Sequence, residues 1–420
     1  MSETVFTYGA PALKFGRGAS DEIGHDLASY DAQRALLITD PGVAATGHPE
    51  RIAEQIRARG IEVVVFADTH VEPTDASLEQ AIAFARSEGP FDAFVAVGGG
   101  SSIDTAKAVN LLCTNDGELM DYINAPVGRA RAPKQQLKPL IAVPTTTGTG
   151  SESTTICVMD VLSLKVKTGI SHARLRPTMA VVDPLLTLTQ PTGVTASAGM
   201  DILCHALESY TARPFDSHDR KQPEQRVAYC GSNPISDMWS EKSMSLLAEA
   251  FRTAVHHGED LLAREKMALA ATFAGLGFGN AGVHIPHANA YPIAGRVKEF
   301  HPVDYPHAEP MVPHGMAVSL TAPEAFRWTF EASPERHLAA ARLLAPGHQY
   351  DGPDALPRVL TDLMRDIGIP NGIGGVGYDE SDVDDLVEGA MKQQRLLATA
   401  PREVTEDDAA QILKGSLQLW

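Results

Sequence analysis

The sequence predicts an α/β N-terminal domain, with a parallel sheet and helices on its faces, followed by an all-helical C-terminal domain. Three observations carry that prediction. Short β-rich runs alternate with helical patterns over the first half of the chain. Two of those runs end in glycine-rich turns. After roughly residue 190 the β pattern stops, and helical segments separated by Pro and Gly follow. Strands alternating with helices mean βαβ units, which require a parallel sheet. A chain of 420 residues also exceeds one ordinary core, so the domains are drawn at 1–190 and 191–420.

The elements follow in order. "RALLITD" (34–40) reads as a strand ending at Asp40, and "PERIAEQIRARG" (49–60) as a helix closed by Gly60. "IEVVVFAD" (61–68) is a strand. "DASLEQAIAFARSEG" (75–89) is a helix with Asp75 as its N-cap. "FDAFVAVGGGSS" (91–102) is a strand entering a glycine turn, "SIDTAKAVNLL" (102–112) a helix, and "PLIAVPTTTGTGSE" (139–152) a strand entering a second turn. The last strand is set at "MAVVDP" (179–184), and the polar stretch 212–232 reads as a loop insertion.

Composition narrows the function. Hydrophobic residues make up 44% and charged residues 21%, the balance of a soluble globular protein. A net charge of −18 argues against nucleic acid and anionic membrane as partners. The four cysteines form no CxxC pair and are too sparse for a disulfide scaffold, which points to a reducing compartment. The opening residues carry no apolar signal core or Arg/Ser-rich leader, so a cytoplasmic location is expected. No uninterrupted apolar run of about 18 residues suggests a membrane span.

The first glycine turn, Gly98-Gly99-Gly100-Ser101-Ser102, lies between a strand and a helix. Such a turn presents backbone N–H groups and a helix N-terminus to an anion, and glycine lets a phosphate approach the backbone. It departs from G-x-G-x-x-G, since Ile103 stands where the third glycine would fall, and no G-K-[ST] follows. The second turn, Thr145-Thr146-Thr147-Gly148-Thr149-Gly150-Ser151, sets hydroxyls beside glycines after another strand. Two such turns in one sheet make a Rossmann-like dinucleotide site a better reading than two tight βα turns. Asp40 stands where an acidic ribose reader would, favouring NAD over NADP.

In the helical half, 195–212 contains only Asp201, Glu208 and His205 as charged or titrating groups apart from Cys204 and Tyr210. Asp201 and His205 are i and i+4, on one helix face. Buried carboxylates need partners, and Asp plus His in one turn can supply two metal ligands as readily as a salt bridge. Downstream, 267–295 holds no Lys, Arg, Asp or Glu, yet carries His284 and His287, and "VPHGMAV" adds His314. One carboxylate and three imidazoles would hold a divalent ion with a position open to a substrate oxygen. Spacing does not choose between His284 and His287. His301 and His307 lie in a polar, Pro-rich loop and read as solvated.

"GGGSSIDTAKAVN", "PTTTGTGSE", "GMDILCHALESY", "HIPHANAYPIAG" and "VPHGMAV", in this order, resemble the iron-dependent (group III) alcohol dehydrogenases over essentially the whole chain. The resemblance implies a homodimer-forming subunit with an N-terminal dinucleotide domain and a helical metal domain. It implies Fe(2+), with Zn(2+) the alternative, on Asp201, His205, His287 and His314, leaving His284 outside. It implies NAD on Gly98, Gly99, Gly100, Ser101 and Asp104, with Thr145, Thr146, Thr149 and Ser151 toward the ribose and nicotinamide, and Lys167 a further candidate. Most family members carry a second histidine four residues after the third ligand. Here that residue is Tyr291, which takes its place as the catalytic proton-relay candidate. Tyr291, "GSNPISDMW", "GFGNAGVHIPH", "GRVKEFHPVDYPH" and "SPERHLAAARLL" resemble a narrower subgroup, the hydroxyacid–oxoacid transhydrogenases. That likeness implies hydride exchange between a hydroxyacid or short alcohol and an oxo-acid or aldehyde, 4-hydroxybutyrate and 2-oxoglutarate being the type pair, with NAD kept on the enzyme.

The alternatives are a simple NAD-dependent iron alcohol dehydrogenase and a lyase of the dehydroquinate-synthase type. The latter's Glu and two His fit less well than Asp201 with three His. Maleylacetate reductases have lost metal ligands that are intact here. A non-catalytic binder would not need both turns and an open metal site. For a hydroxyacid, Arg296 and Lys298 in "AGRVKEF" are the expected receivers of the carboxylate, unless they are solvated helix-end charges.

Overall fold

The structure is a computed structural model describing residues 2–164, 166–305, 309–349 and 351–420. His307 lies outside the described residues. The chain forms two compact units, residues 10–190 and residues 1–9 with 191–420.

The first unit holds a six-stranded parallel sheet. Its strands are β1 (Ala12–Phe15), β2 (Arg34–Ile38), β3 (Glu62–Phe66), β4 (Ala93–Gly98), β5 (Leu140–Pro144) and β8 (Met179–Val182), in the order β1-β8-β5-β4-β2-β3. β4 and β5 are wholly buried, as apolar runs in a sheet covered on both faces must be. Helices α1 (His48–Arg57), α2 (Asp75–Glu88) and α3 (Gly100–Thr114) connect them. An antiparallel hairpin, β6 (Ile156–Val161) with β7 (Val166–Ser171), completes the unit.

Several expectations change. The edge strand β1 and the β6–β7 hairpin are additions. β1 is four residues long and half exposed, too short to carry a periodic signal. The cap of α2 is Thr74, not Asp75. The Thr74 hydroxyl accepts the Ser77 N–H at 3.1 Å, and the Ser77 hydroxyl accepts the Thr74 N–H at 2.9 Å. Asp75 instead sits in the first turn, where a negative charge suits the helix dipole. Asp183 leaves the last strand and accepts hydrogen bonds from Gly18, Ser20 and Leu185.

The second unit is helical. At its centre lies α4 (Thr192–Thr211), buried almost throughout from residue 195 onward. Around it stand α5 (Pro234–His256), α6 (Leu261–Ala281), α7 (Ile285–Gly295) and α8 (His314–Ser319). α10 (Gln394–Leu397) follows α9 (Val383–Met391) near the C-terminus. No single helix among the described residues is long and apolar enough to cross a membrane. α6 and α7 lack charge near their junction because they line the core, bent by 103° at residues 282–284. Residues 2–9, read from the sequence with the α/β half, pack with the helices. Glu3 accepts hydrogen bonds from the Lys221 N–H and the Arg226 guanidinium, and Gly9 N–H donates to Asn280 Oδ1 at 2.9 Å.

Candidate metal centre and nucleotide turns

α4 carries Asp201, His205 and Glu208 on one face, at i, i+4 and i+7. α7 brings His287 and Tyr291, and α8 begins with His314. Close packing makes this possible at Gly315. A Cβ there would lie 2.2 Å from the Ser197 carbonyl oxygen and 2.8 Å from Asp201 Cβ. Only a glycine lets α8 seat His314 beside Asp201. The Met316 N–H, donating to Ser197 Oγ at 3.0 Å, holds the same junction.

Three imidazoles converge on one oxygen. Asp201 Oδ1 lies 3.6 Å from His205 Nε2, 3.6 Å from His287 Nε2 and 3.9 Å from His314 Nε2. Ligand atoms of Asp201, His287 and His314 all fall within 4.8 Å of one another. Asp201 Oδ1 and His287 Nε2 are buried and make no hydrogen bond. Donors about 2.0–2.2 Å from a shared ion in a tetrahedron stand roughly 3.3–3.6 Å apart. The Asp201-to-imidazole spacings are close to that and longer than a hydrogen bond, while His205, close to Asp201, stands outside the group of three whose ligand atoms all lie within 4.8 Å. Asp201, His287 and His314 therefore fit a divalent ion, with His205 beside them.

Glu208 is the part that sequence reading missed. His287 Nδ1–H donates to Glu208 Oε1 at 2.6 Å, which turns Nε2 toward Asp201. Glu208 Oε2 accepts the His284 N–H at 2.6 Å and the His287 N–H at 3.4 Å, so one carboxylate caps the start of α7. Its position one turn beyond His205 was the available signal. Electrostatics follow the same contacts. Burial disfavours the charged form of Asp201, but His205, His314 and His287 outweigh it and hold the carboxyl far below its usual range. Burial also disfavours protonated His287, yet Glu208 and Asp201 hold it up at about 9. His205, whose dominant influence is burial, is pushed down to about 3. It stacks on Phe278 with ring centroids 3.8 Å apart. The Tyr291 ring lies 6.2 Å from that of His314.

Other expectations separate from the cluster. His284 is a core residue, its Nε2 3.1 Å from the Thr211 hydroxyl. His301 is exposed. Arg296 and Lys298, expected to receive a substrate carboxylate, are engaged by acids of the segment around α9. Arg296 pairs with Asp385 at 2.9 Å and Glu388 at 3.4 Å, and Lys298 with Asp382 at 2.7 Å.

In the α/β unit the two turns meet. Gly98 ends β4, which pairs with β5 so that Gly98 faces Pro144, and Thr145 N–H donates to the Gly98 carbonyl at 3.0 Å. A Cβ on Gly99 would lie 3.1 Å from Thr146 Oγ1, and one on Gly100 2.7 Å from Thr149 Oγ1. Asp40, following β2 on the other side of β4, accepts the Ser102 hydroxyl at 3.2 Å and the Val43 N–H at 2.9 Å. Asp40, Gly98–Gly100, Thr145, Thr146 and Thr149 thus share the carboxyl ends of three adjacent strands, where open α/β sheets bind ligands.

Asp104, Ser151 and Lys167 have partners within the α/β unit. The Ser151 hydroxyl donates to Asp104, and both contact Lys107. The fully buried Lys107 ammonium lies 2.6 Å from Ser151 Oγ, 3.2 Å from Asp104 Oδ1, 3.0 Å from Thr154 Oγ1 and 2.7 Å from the Ile156 carbonyl. These side chains are spent on a clamp beneath the turns. Lys167 is held between Glu72 at 2.6 Å and Asp160 at 3.0 Å. Ser101 Oγ accepts the Glu72 N–H at 3.1 Å, leaving its own N–H at the start of α3.

Fold and sites together define a metal-centred, nucleotide-type oxidoreductase. The chain belongs to the iron-containing alcohol dehydrogenase family: residues 10–184 match its "Iron-containing alcohol dehydrogenase" description and residues 224–417 its "Fe-containing alcohol dehydrogenase family, C-terminal" description. It is 43% identical to the hydroxyacid-oxoacid transhydrogenase, mitochondrial, of Bos taurus, across 100% of this chain and 91% of that one. A solved 1,3-propanediol oxidoreductase is 31% identical with a TM-score of 0.85, covering 98% of this chain and 100% of its own. A sulfoacetaldehyde reductase from Bifidobacterium kashiwanohense, solved in complex with NAD+, is 27% identical with a TM-score of 0.80, covering 98% of each chain. The expected cytoplasmic location is corrected at this point, because the bovine relative, matched along this entire chain, is a mitochondrial enzyme.

Proposed function

We propose that this oxidoreductase exchanges hydride between a hydroxyacid and an oxo-acid, with 4-hydroxybutyrate and 2-oxoglutarate as the type pair, Fe(2+) on the helical unit and NAD on the α/β unit. The observation that carries the reading is the convergence of three imidazole Nε2 atoms on the unbonded Asp201 Oδ1. Asp201, His205, His287 and His314 would hold the ion, with Zn(2+) suited to the same donors. When bound, the ion would polarise the alcohol oxygen and the nicotinamide would accept the hydride. Glu208 fixes the His287 tautomer by accepting its Nδ1 proton. Phe278 shields one face of His205 from water. Tyr291, beside His314, is the residue whose hydroxyl would carry the proton away.

On the nucleotide side, the N–H groups at the start of α3, including Gly100 and Ser101, would receive the pyrophosphate. Thr145, Thr146 and Thr149 offer hydroxyls beside it, and the Asp40 carboxylate would repel a 2′-phosphate and select NAD. Asp104, Ser151 and Lys167 support these turns through the Lys107 and Glu72 contacts, at the edge of the same site. A homodimer acting on small molecules completes the reading, and equilibrium sedimentation tests the dimer.

Iron-loaded protein mixed with 4-hydroxybutyrate and 2-oxoglutarate should form 2-hydroxyglutarate without added NAD. NADH accumulating from an alcohol only when NAD is supplied would replace this reading with a simple iron alcohol dehydrogenase.

A further inference from the structure

A hydroxyacid has two ends to recognise, and the cations that follow the His287 helix, Arg296 and Lys298, are neutralised by Asp385, Glu388 and Asp382. Another cation lies in the helical unit near the α6–α7 corner. Arg395, on α10, has a buried Nη1 with no hydrogen-bond partner, and among the described residues it forms no ion pair. Its guanidinium carbon lies 5.1 Å from the Tyr229 ring centroid.

Two chain segments place this pair at the α6–α7 corner, next to the residues that pack on the metal ligands. Leu396, the next residue, is buried in one cluster with Phe278 and Tyr291. Phe278 is the ring stacked on His205, and Tyr291 the ring beside His314. Tyr229 precedes Cys230 and Gly231, whose N–H groups donate to the Asn280 and Ala281 carbonyls at the end of α6. The Tyr229 Cβ stands 3.3 Å from where a Cβ on Gly282 would be. Both partners therefore flank the corner that leads from α6 into the His287 helix.

We propose that Arg395, stacked on Tyr229, is the receiver of the substrate carboxylate and makes the enzyme select hydroxyacids over uncharged alcohols. The inference rests on the hydroxyacid reading above. A guanidinium matches a carboxylate with two parallel N–H donors. Burying an unpaired donor is costly, so an Nη1 without a protein partner is poised for a ligand that brings an oxygen. The Tyr229 face supports the cation without neutralising it, as a carboxylate neighbour would.

The test compares kcat/KM for 4-hydroxybutyrate with kcat/KM for 1-butanol in iron-loaded holoenzyme. In Arg395→Leu that ratio should fall about 10- to 100-fold, chiefly through KM, the range of one hydrogen-bonded charge. Inhibition by butyrate should weaken in parallel. Arg395→Lys keeps the charge and loses the fork, so about a 3- to 10-fold fall is expected. It carries the test if the leucine variant does not fold. An unchanged ratio with unchanged butyrate inhibition overturns the assignment. A wild-type enzyme showing no preference for the acid over butanol overturns the hydroxyacid reading itself, and does so before any substitution is made.

Discussion

The two candidate sites are built from opposite materials. In the α/β unit the candidate binding atoms are backbone N–H groups and short hydroxyls at strand ends, and large side chains such as Lys107 lie underneath. In the helical unit the binding atoms are the tips of long side chains, and backbone contributes packing at Gly315 and the capped start of α7. A phosphate needs close approach to many weak donors, which glycine allows. A metal needs a few strong donors held at fixed angles, which helices and buried carboxylates supply. Damage should therefore be local and of different kinds.

Four substitutions break or sharpen that contrast when metal content and NADH binding are read together. Asp201→Ala should abolish metal retention in elemental analysis and lower turnover by at least about 10³-fold, since the ion supplies several kcal/mol. NADH should still bind, as seen by fluorescence, and retained metal with full activity would end the ligand assignment. Lys107→Met strands Asp104 in the interior and should destabilise the α/β unit by about 3–5 kcal/mol, measured by denaturant unfolding. A loss under 1 kcal/mol would mean that the clamp is not a stability element. Glu208→Gln should weaken metal affinity about 10- to 100-fold in chelator competition, and an unchanged affinity would reduce Glu208 to a helix cap. Smallest is Asp40→Ala, which should shift the NAD-to-NADP preference about tenfold. A constant preference would remove Asp40 from the ribose site.

The same contrast explains what could be read from sequence. Alternating strands and helices are local patterns, so the main sheet was visible, whereas β1, four residues long and half exposed, was not. Asp201 and His205 stood out because one turn of helix brings i and i+4 together. The choice of His287 over His284 has no local cause. It follows from Glu208, which lies 79 positions from His287 along the chain. Arg296 and Lys298 misled because nearness in sequence says nothing of acids that arrive 84 or more positions later. The partner that Ser151 has within the protein, Lys107, lies 44 positions away and left no local sign beside the glycines.

Residues 2–9 belong to the helical unit although the whole α/β unit is threaded between them and the rest of it. The Gly9 N–H meets an Asn280 that is translated 271 residues later. At about 5–20 residues per second this interval is roughly 14–54 s. During that time the α/β unit can already collapse around its sheet, while residues 2–9 wait for the helices that will cover them. Late in that interval the α/β unit would be folded while residues 2–9 still lack the helices they pack with.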